Sequence, residues 1–75
     1  MPTNRDAINE REKASSELVQ KAVITVATKG IKLEGRAKDY FQQMAGGLSL
    51  GLSASFFVQN ANYVLEHIRE MGYQI

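Results

Sequence analysis

The fold is decided by residues 40–65, YFQQMAGGLSLGLSASFFVQNANYVL, in which no side chain carries a formal charge. The stretch is long enough to cross a bilayer, since about 20 residues suffice. Its Gln, Asn and Ser side chains and its glycines make insertion of a single helix marginal, however. A small soluble domain ordinarily scatters charges over its surface. We therefore expect this segment to pack against protein, and membrane contact stays open.

A first helix is predicted at about residues 6–28. Thr3 and Asp6 have the spacing of a capping box, and Gly30 followed by Ile31 is the pattern of a Schellman C-cap. Lysine and glutamate side chains are predicted to occupy its exposed face. Apolar or small residues recur at helical spacing along the other face, at Ile8, Ser15, Val19, Ala22 and Val26.

A second helix is predicted at about residues 36–71, after a turn at residues 29–35. Gly72 followed by Tyr73 repeats the C-cap pattern. A turn this short returns the chain antiparallel, so the prediction is an all-α helical hairpin forming a single domain, residues 1–75. The apolar face of this second helix is predicted to carry Ala37, Phe41, Met44 and Leu48 early in the helix, and Tyr63, Val64, Leu65, Ile68 and Met71 late in it.

Two alternatives to a continuous second helix remain open. In the first, Gly46 and Gly47 break this helix into two. In the second, residues 45–58 form a strand, because apolar residues alternate there with Gly and Ser at a period of two. Residues 23–27 and 31–33 would then add two strands, giving a small α+β fold with a three-stranded sheet. Gly, Ser and Ala are poor strand formers, which favours the helical prediction.

Small residues in the second helix predict close helix packing. Gly47 and Gly51 form a G-x-x-x-G pair that Ser55 extends, and such spacing lets two backbones approach closely. Leu52 and Phe56 surround this row with apolar surface. These five residues are the predicted packing contacts of an assembly, and replacement of Gly51 by Leu should disrupt it.

The predicted turn is rich in basic residues. They offer a possible contact for an anion or a lipid headgroup, although Glu34 and Asp39 among them also fit an ordinary solvated loop. Sequence-specific nucleic-acid binding is not expected, because the chain offers no helix that concentrates Arg, Lys, Asn and Gln. The basic residues are Lys29, Lys32, Arg36 and Lys38.

Catalytic and metal-binding patterns are absent from the sequence. The chain has no cysteine, which removes disulfides and thiolate ligands. Its single histidine, His67, could share a metal with Glu70, but two ligands do not make a structural site. We therefore expect neither a metal, nor a cofactor, nor enzymatic activity.

The predicted function is that of a self-assembling structural subunit. A chain of 75 residues buries only about 60% of its unfolded surface, so it is marginal alone. A filament, a needle- or pilus-like tube or a closed homo-oligomer packed through residues 40–65 would supply the missing burial. The alternatives are a phage- or plasmid-type module that docks on a host protein, or a membrane-associated small protein. No signal peptide is recognisable, which predicts a cytoplasmic protein or export without a leader.

Overall fold

The protein is all-α in the computed structural model, which describes residues 4–75 and the side chains of residues 10–75. Helix α1 spans Asn4–Lys29, α2 spans Gly35–Ser49 and α3 spans Val58–Glu70. A 3₁₀ helix, Ala54–Phe57, leads directly into α3. The predicted capping box at Thr3 and Asp6 and the predicted core position Ile8 lie outside the described side chains.

Glycine caps end α1 and α3 as predicted. Gly30 has a φ of +60°, and the Ile31 N–H donates to the Val26 carbonyl over 3.1 Å. This is the hydrogen bond of a Schellman motif. The Tyr73 N–H makes the equivalent bond to Ile68 at the end of α3. Because these signals are local, the end of α1 agrees with the prediction to within one residue.

The prediction of one continuous second helix is wrong. It is divided into α2 and α3, and the helix does not break at Gly46 and Gly47, which both lie within α2. The interruption begins at Leu50, the C-cap of α2, and is followed by Gly51 with a φ of +84°. A residue in this left-handed region ends an α-helix.

A two-helix hairpin is also not confirmed. Helix α3 packs against both α1 and α2, whereas α1 and α2 touch each other least. The Tyr40 and Tyr63 rings meet edge to face with centroids 4.9 Å apart. The Asn60 side-chain amide donates to the Tyr40 carbonyl over 3.2 Å. These contacts between α2 and α3 exist because the chain turns back after α2. In one straight helix, residues 20 positions apart could not meet.

The predicted α+β alternative is wrong, because residues 4–75 contain no strand. Residues 23–27 belong to α1, and residues 31–33 form an irregular link whose Ile31 and Leu33 side chains are buried. Residues 45–58 contain the end of α2, a loop and the 3₁₀ helix. The alternation there does not separate buried from exposed side chains, since Leu50, Leu52 and Phe56 are all exposed.

The core lies where α3 meets the other two helices. Ser15 is also buried on α1, where its hydroxyl donates to the Arg11 carbonyl over 2.8 Å. The buried apolar residues are Val19, Ala22, Ile31, Leu33, Ala37, Met44, Ala54, Ala61, Val64, Leu65 and Ile68.

Within the described part of the chain, no helix is long and apolar enough to cross a membrane.

Candidate docking surface

The link between α2 and α3 begins with a third Schellman motif. The Gly51 N–H donates to the Leu48 carbonyl and the Leu52 N–H to the Gly47 carbonyl, both over 3.0 Å. These two bonds satisfy carbonyls at the end of α2 that have no helical partner. They also turn the chain sharply away from the helix axis, which leaves Leu50 at the tip of the turn.

A close contact between Phe57 and Gly47 fixes the other end of this link. Gly47 is buried on α2, and the half-buried Phe57 ring lies directly against its backbone. A Cβ atom at this position would overlap the ring, whereas a Cβ on neighbouring Gly46 would meet nothing within 4 Å. Gly47 therefore provides the space into which the aromatic ring packs.

A carboxylate on α1 holds the middle of the link. The Ser53 hydroxyl donates to Glu12 Oε2 over 2.5 Å, and the Ala54 N–H donates to Glu12 Oε1 over 3.0 Å. The Ser53 oxygen in turn accepts from the Ser55 N–H. The hydrogen bond from Ser53 is the main cause that holds the pKa of the Glu12 carboxyl below its ordinary value of 4.5. Charge-assisted bonds of this kind are among the stronger ones in proteins.

Three large apolar side chains are exposed on this anchored link. Leu50 is 82% exposed, Phe56 72% and Leu52 49%. We call residues 50–56 the docking loop. Single exposed apolar residues are common on protein surfaces, whereas three of them lie here within seven chain positions, and exposed apolar groups that cluster are typical of interaction sites. The loop is also free of charged residues.

The predicted packing residues are only partly brought together. Gly47 and Gly51 do not form a row on one helix, because Gly51 lies beyond the end of α2 and a Cβ there would meet open space. Close packing of Gly51 in an assembly stays a prediction. Ser55 is exposed beside Ser53. Leu52 and Phe56 remain predicted assembly contacts, now as exposed side chains of a loop.

The predicted anion contact lies at the other end of the molecule. All four of its basic side chains, those of Lys29, Lys32, Arg36 and Lys38, are exposed. At about 1.5 Å per residue, Lys29 is about 25 Å along α1 from Glu12 and the docking loop. Anion or headgroup binding there stays a prediction, and the two surfaces are separate.

A small open cavity lies on α3. It has a volume of about 70 Å³ and is lined by Tyr63, Glu66, His67 and Glu70. Among the residues that the structure describes, no three His, Cys, Asp or Glu side chains are grouped so that they could hold a metal ion. The possible pairing of His67 with Glu70 therefore gains no further ligand.

Three residues that form or hold the docking loop were not among the predicted site residues: Leu50 in the loop, and Glu12 and Phe57, which hold it. A signal for Leu50 was present, because Gly51 followed by Leu52 repeats the glycine–apolar pattern found at Gly30 and Gly72. Applied at Gly51, it would have placed the helix end correctly. Glu12 contacts residues that are 41 and 42 positions away in the chain. Phe57 reaches Gly47 only because the chain turns tightly after α2. No local sequence pattern predicts either contact.

Comparisons of the chain with family models, with curated proteins and with solved structures find no significant match. The function is therefore argued from the geometry of the chain itself.

Proposed function

We propose that the protein is a non-enzymatic subunit that associates with further copies of itself through the docking loop. The observation that carries this proposal is the exposure of Leu50, Leu52 and Phe56 on a loop held at both ends and in the middle. An anchored loop presents these side chains in one arrangement, so little conformational entropy is lost when they are covered.

The neutrality of the surface favours a second copy as the partner. In a two-fold symmetric contact the same patch faces itself, so a patch with net charge would repel its twin. Residues 40–65 carry no charge at all. Like surfaces built from this segment can therefore meet without electrostatic repulsion.

The small size of the exposed apolar surface limits how strongly two copies are expected to associate. Covering an exposed Leu or Phe side chain stabilises a complex by about 1.5–3 kcal/mol. Association itself costs about 4–15 kcal/mol, and a stable interface buries about 800 Å² on each partner. Three side chains per copy do not reach that area alone. We therefore expect weak association that grows with protein concentration and recruits neighbouring surface.

The distance between the apolar and basic surfaces is an argument against membrane docking. Peripheral membrane binding gains strength when basic residues lie beside the inserted apolar side chains. The basic turn lies about 25 Å along α1 from the docking loop, so its four basic side chains do not flank the exposed apolar ones. Docking on an unlike protein is distinguished from self-association by the experiment below.

The test is light scattering coupled to size-exclusion chromatography over a concentration series, without detergent. The wild-type mass should rise above the 8.3 kDa of one chain as concentration increases. Leu50→Ser and Phe56→Ser should remain monomeric. Ile24→Ser is the matched control, because Ile24 is 58% exposed on α1, away from the loop, and should associate like the wild type.

Two results would overturn the proposal. A wild-type mass that stays at one chain throughout would exclude self-association and leave the loop to an unlike partner. Equal loss of association in Ile24→Ser and Leu50→Ser would show that general surface hydrophobicity, and not the docking loop, drives the contact.

A further inference from the structure

Hydrogen bonds to one side chain of α1 hold the docking loop. Among the side chains of residues 10–75, the hydrogen bonds that join the loop to α1 both end on the Glu12 carboxylate, which accepts one bond from the Ser53 hydroxyl and one from the Ala54 N–H. These partners are 41 and 42 positions away in the chain. Glu12 is therefore a long-range tether and not part of the local geometry of the loop.

The two residues that Glu12 holds, Ser53 and Ala54, lie in the sequence between the exposed residues Leu52 and Phe56. Leu52 directly precedes Ser53, and Phe56 follows Ser55, whose N–H bonds the same Ser53 oxygen that donates to Glu12. The direction of Leu52 and Phe56 thus depends on how residues 53–55 are held. Leu50 is set separately, by the Schellman motif at the end of α2.

Apart from the packing of Ala54 in the core, the other anchors of the loop hold it to α2. The contact of Phe57 with Gly47 and the bonds of Gly51 and Leu52 all join the loop to α2. Without Glu12, the Ser53 hydroxyl would keep its contact with Ser55, and the Ala54 N–H would lose its carboxylate acceptor. The start of the 3₁₀ helix would then be held against α1 by the packing of the buried Ala54 alone, without a hydrogen bond that fixes its position.

We infer that Glu12 is a positioning residue for the docking loop, whose carboxylate holds Leu52 and Phe56 in the arrangement that associates. This inference rests on the proposed function. It adds that the association depends on a charged residue that does not belong to the apolar surface and that needs to be ionised to act.

The titratable groups around Glu12 decide how a pH-dependent change at Ala54 is interpreted. The loop, the 3₁₀ helix and the first turns of α3 contribute no carboxyl, imidazole or basic side chain, since residues 40–65 contain none. The charged residues of α3, Glu66, His67, Arg69 and Glu70, lie in its last two turns. On α1 the sequence neighbours are Arg11 and Lys13, and the positions one turn away on either side, 8, 9, 15 and 16, are uncharged. The remaining carboxyls of the first half of α1 are those of Asp6, Glu10 and Glu17, so a change at Ala54 between neutral pH and pH 3 is assigned to Glu12 where it disappears in Glu12→Gln.

The direct test follows the Ala54 amide by ¹H–¹⁵N nuclear magnetic resonance while the pH is lowered, at a concentration where the protein is monomeric. The resonance should shift with a midpoint below the ordinary glutamate value of 4.5. The shift should be absent in Glu12→Gln, which keeps the size of the side chain but cannot ionise. An Ala54 resonance that does not titrate in the wild type would overturn the tether.

The functional test measures association at neutral pH. Glu12→Gln should associate about threefold to tenfold more weakly than the wild type, the range expected when a charged acceptor becomes neutral. Glu17→Gln, an exposed glutamate on the same helix, is the control and should behave as the wild type. In the wild type, association should weaken with the same midpoint as the Ala54 titration. A merely structural residue would change stability without this shared pH profile.

Failure of this inference can be told apart from failure of the proposed function. If Leu50→Ser abolishes association while Glu12→Gln associates as the wild type, the loop is the contact but Glu12 does not position it. If the wild type never associates, the proposed function is wrong, and the role of Glu12 in docking falls with it.

Discussion

The Phe57 ring packs against the backbone of Gly47, in a space that no other residue type would leave open. This contact joins the 3₁₀ helix to α2 ten positions earlier in the chain. It sets how the chain returns after α2 and hence how the docking loop is presented. It also explains why two adjacent glycines in one helix have different roles.

We predict that Gly47→Ala and Gly46→Ala change stability in opposite directions. Gly47→Ala should lower the free energy of unfolding by about 1–3 kcal/mol, because the added methyl overlaps the Phe57 ring and forces a rearrangement. Gly46→Ala should raise it by about 0.5–1 kcal/mol, because alanine is the better helix former and its methyl meets open space. Urea unfolding followed by circular dichroism measures both. A gain of stability in Gly47→Ala similar to that in Gly46→Ala would contradict the packing of Phe57 against Gly47.

We predict that Gly51→Ala and Gly51→Leu are destabilised by similar amounts, about 1–2 kcal/mol, because the left-handed backbone conformation disfavours any side chain. Gly51→Asn should lose less, since asparagine tolerates this conformation. Thermal unfolding of the monomer measures the three variants. A much larger loss for Leu than for Ala would mean that the space around Gly51 is closed.

The hydrogen bond between Asn60 and the Tyr40 carbonyl should be visible in a matched pair of variants. Asn60→Ala and Asn62→Ala both gain helix propensity in α3, but only the first loses a bond to α2. We expect Asn60→Ala to be less stable than Asn62→Ala by about 1 kcal/mol. Chemical unfolding at neutral pH checks the difference, and equal stabilities would show that the bond contributes nothing.

Protonation of Glu12 should remove part of the stability of the fold in acid. Its pKa is lowered in the folded protein, chiefly by the hydrogen bond from Ser53, so the ionised form is the one that the fold favours. The contribution is present above the ordinary value of 4.5 and is lost as the pH falls through the lowered pKa.

The measurement is the difference in unfolding free energy between the wild type and Glu12→Gln, from neutral pH to about pH 3. This difference should be largest at neutral pH and shrink in acid. A difference that does not change with pH would mean that the carboxylate is not ionised against Ser53 and Ala54.

Local signals in the sequence predicted α1 and the ends of two helices. Gly30 with Ile31 and Gly72 with Tyr73 stop their helices through backbone conformation and short-range hydrogen bonds, which act regardless of the rest of the fold. The apolar spacing of Val19 and Ala22 likewise reports directly on which face of α1 is buried.

The division of the second helix was not predicted, because its local signals were ambiguous. The alternative to a continuous helix placed a break at Gly46 and Gly47, yet both are helical. Glycine costs a helix about 1 kcal/mol, and the packing of Phe57 against Gly47 offsets this at one of the two positions. The alternation of apolar residues in 48–58 indicated a strand, yet it produced neither a strand nor a buried face.

The sequence by itself determined an all-α chain with a charged first helix, an uncharged segment at residues 40–65 and glycine-capped helix ends. Those properties follow from composition, periodicity and short-range capping. Only the tertiary structure decided that α3 packs against both other helices, that Leu50 and Phe56 are exposed, and that Glu12 holds the loop between them. The physical reason is that burial and long-range hydrogen bonds, such as the one between Ser53 and Glu12 across 41 positions, depend on how the whole chain folds back on itself. No local sequence pattern carries that information.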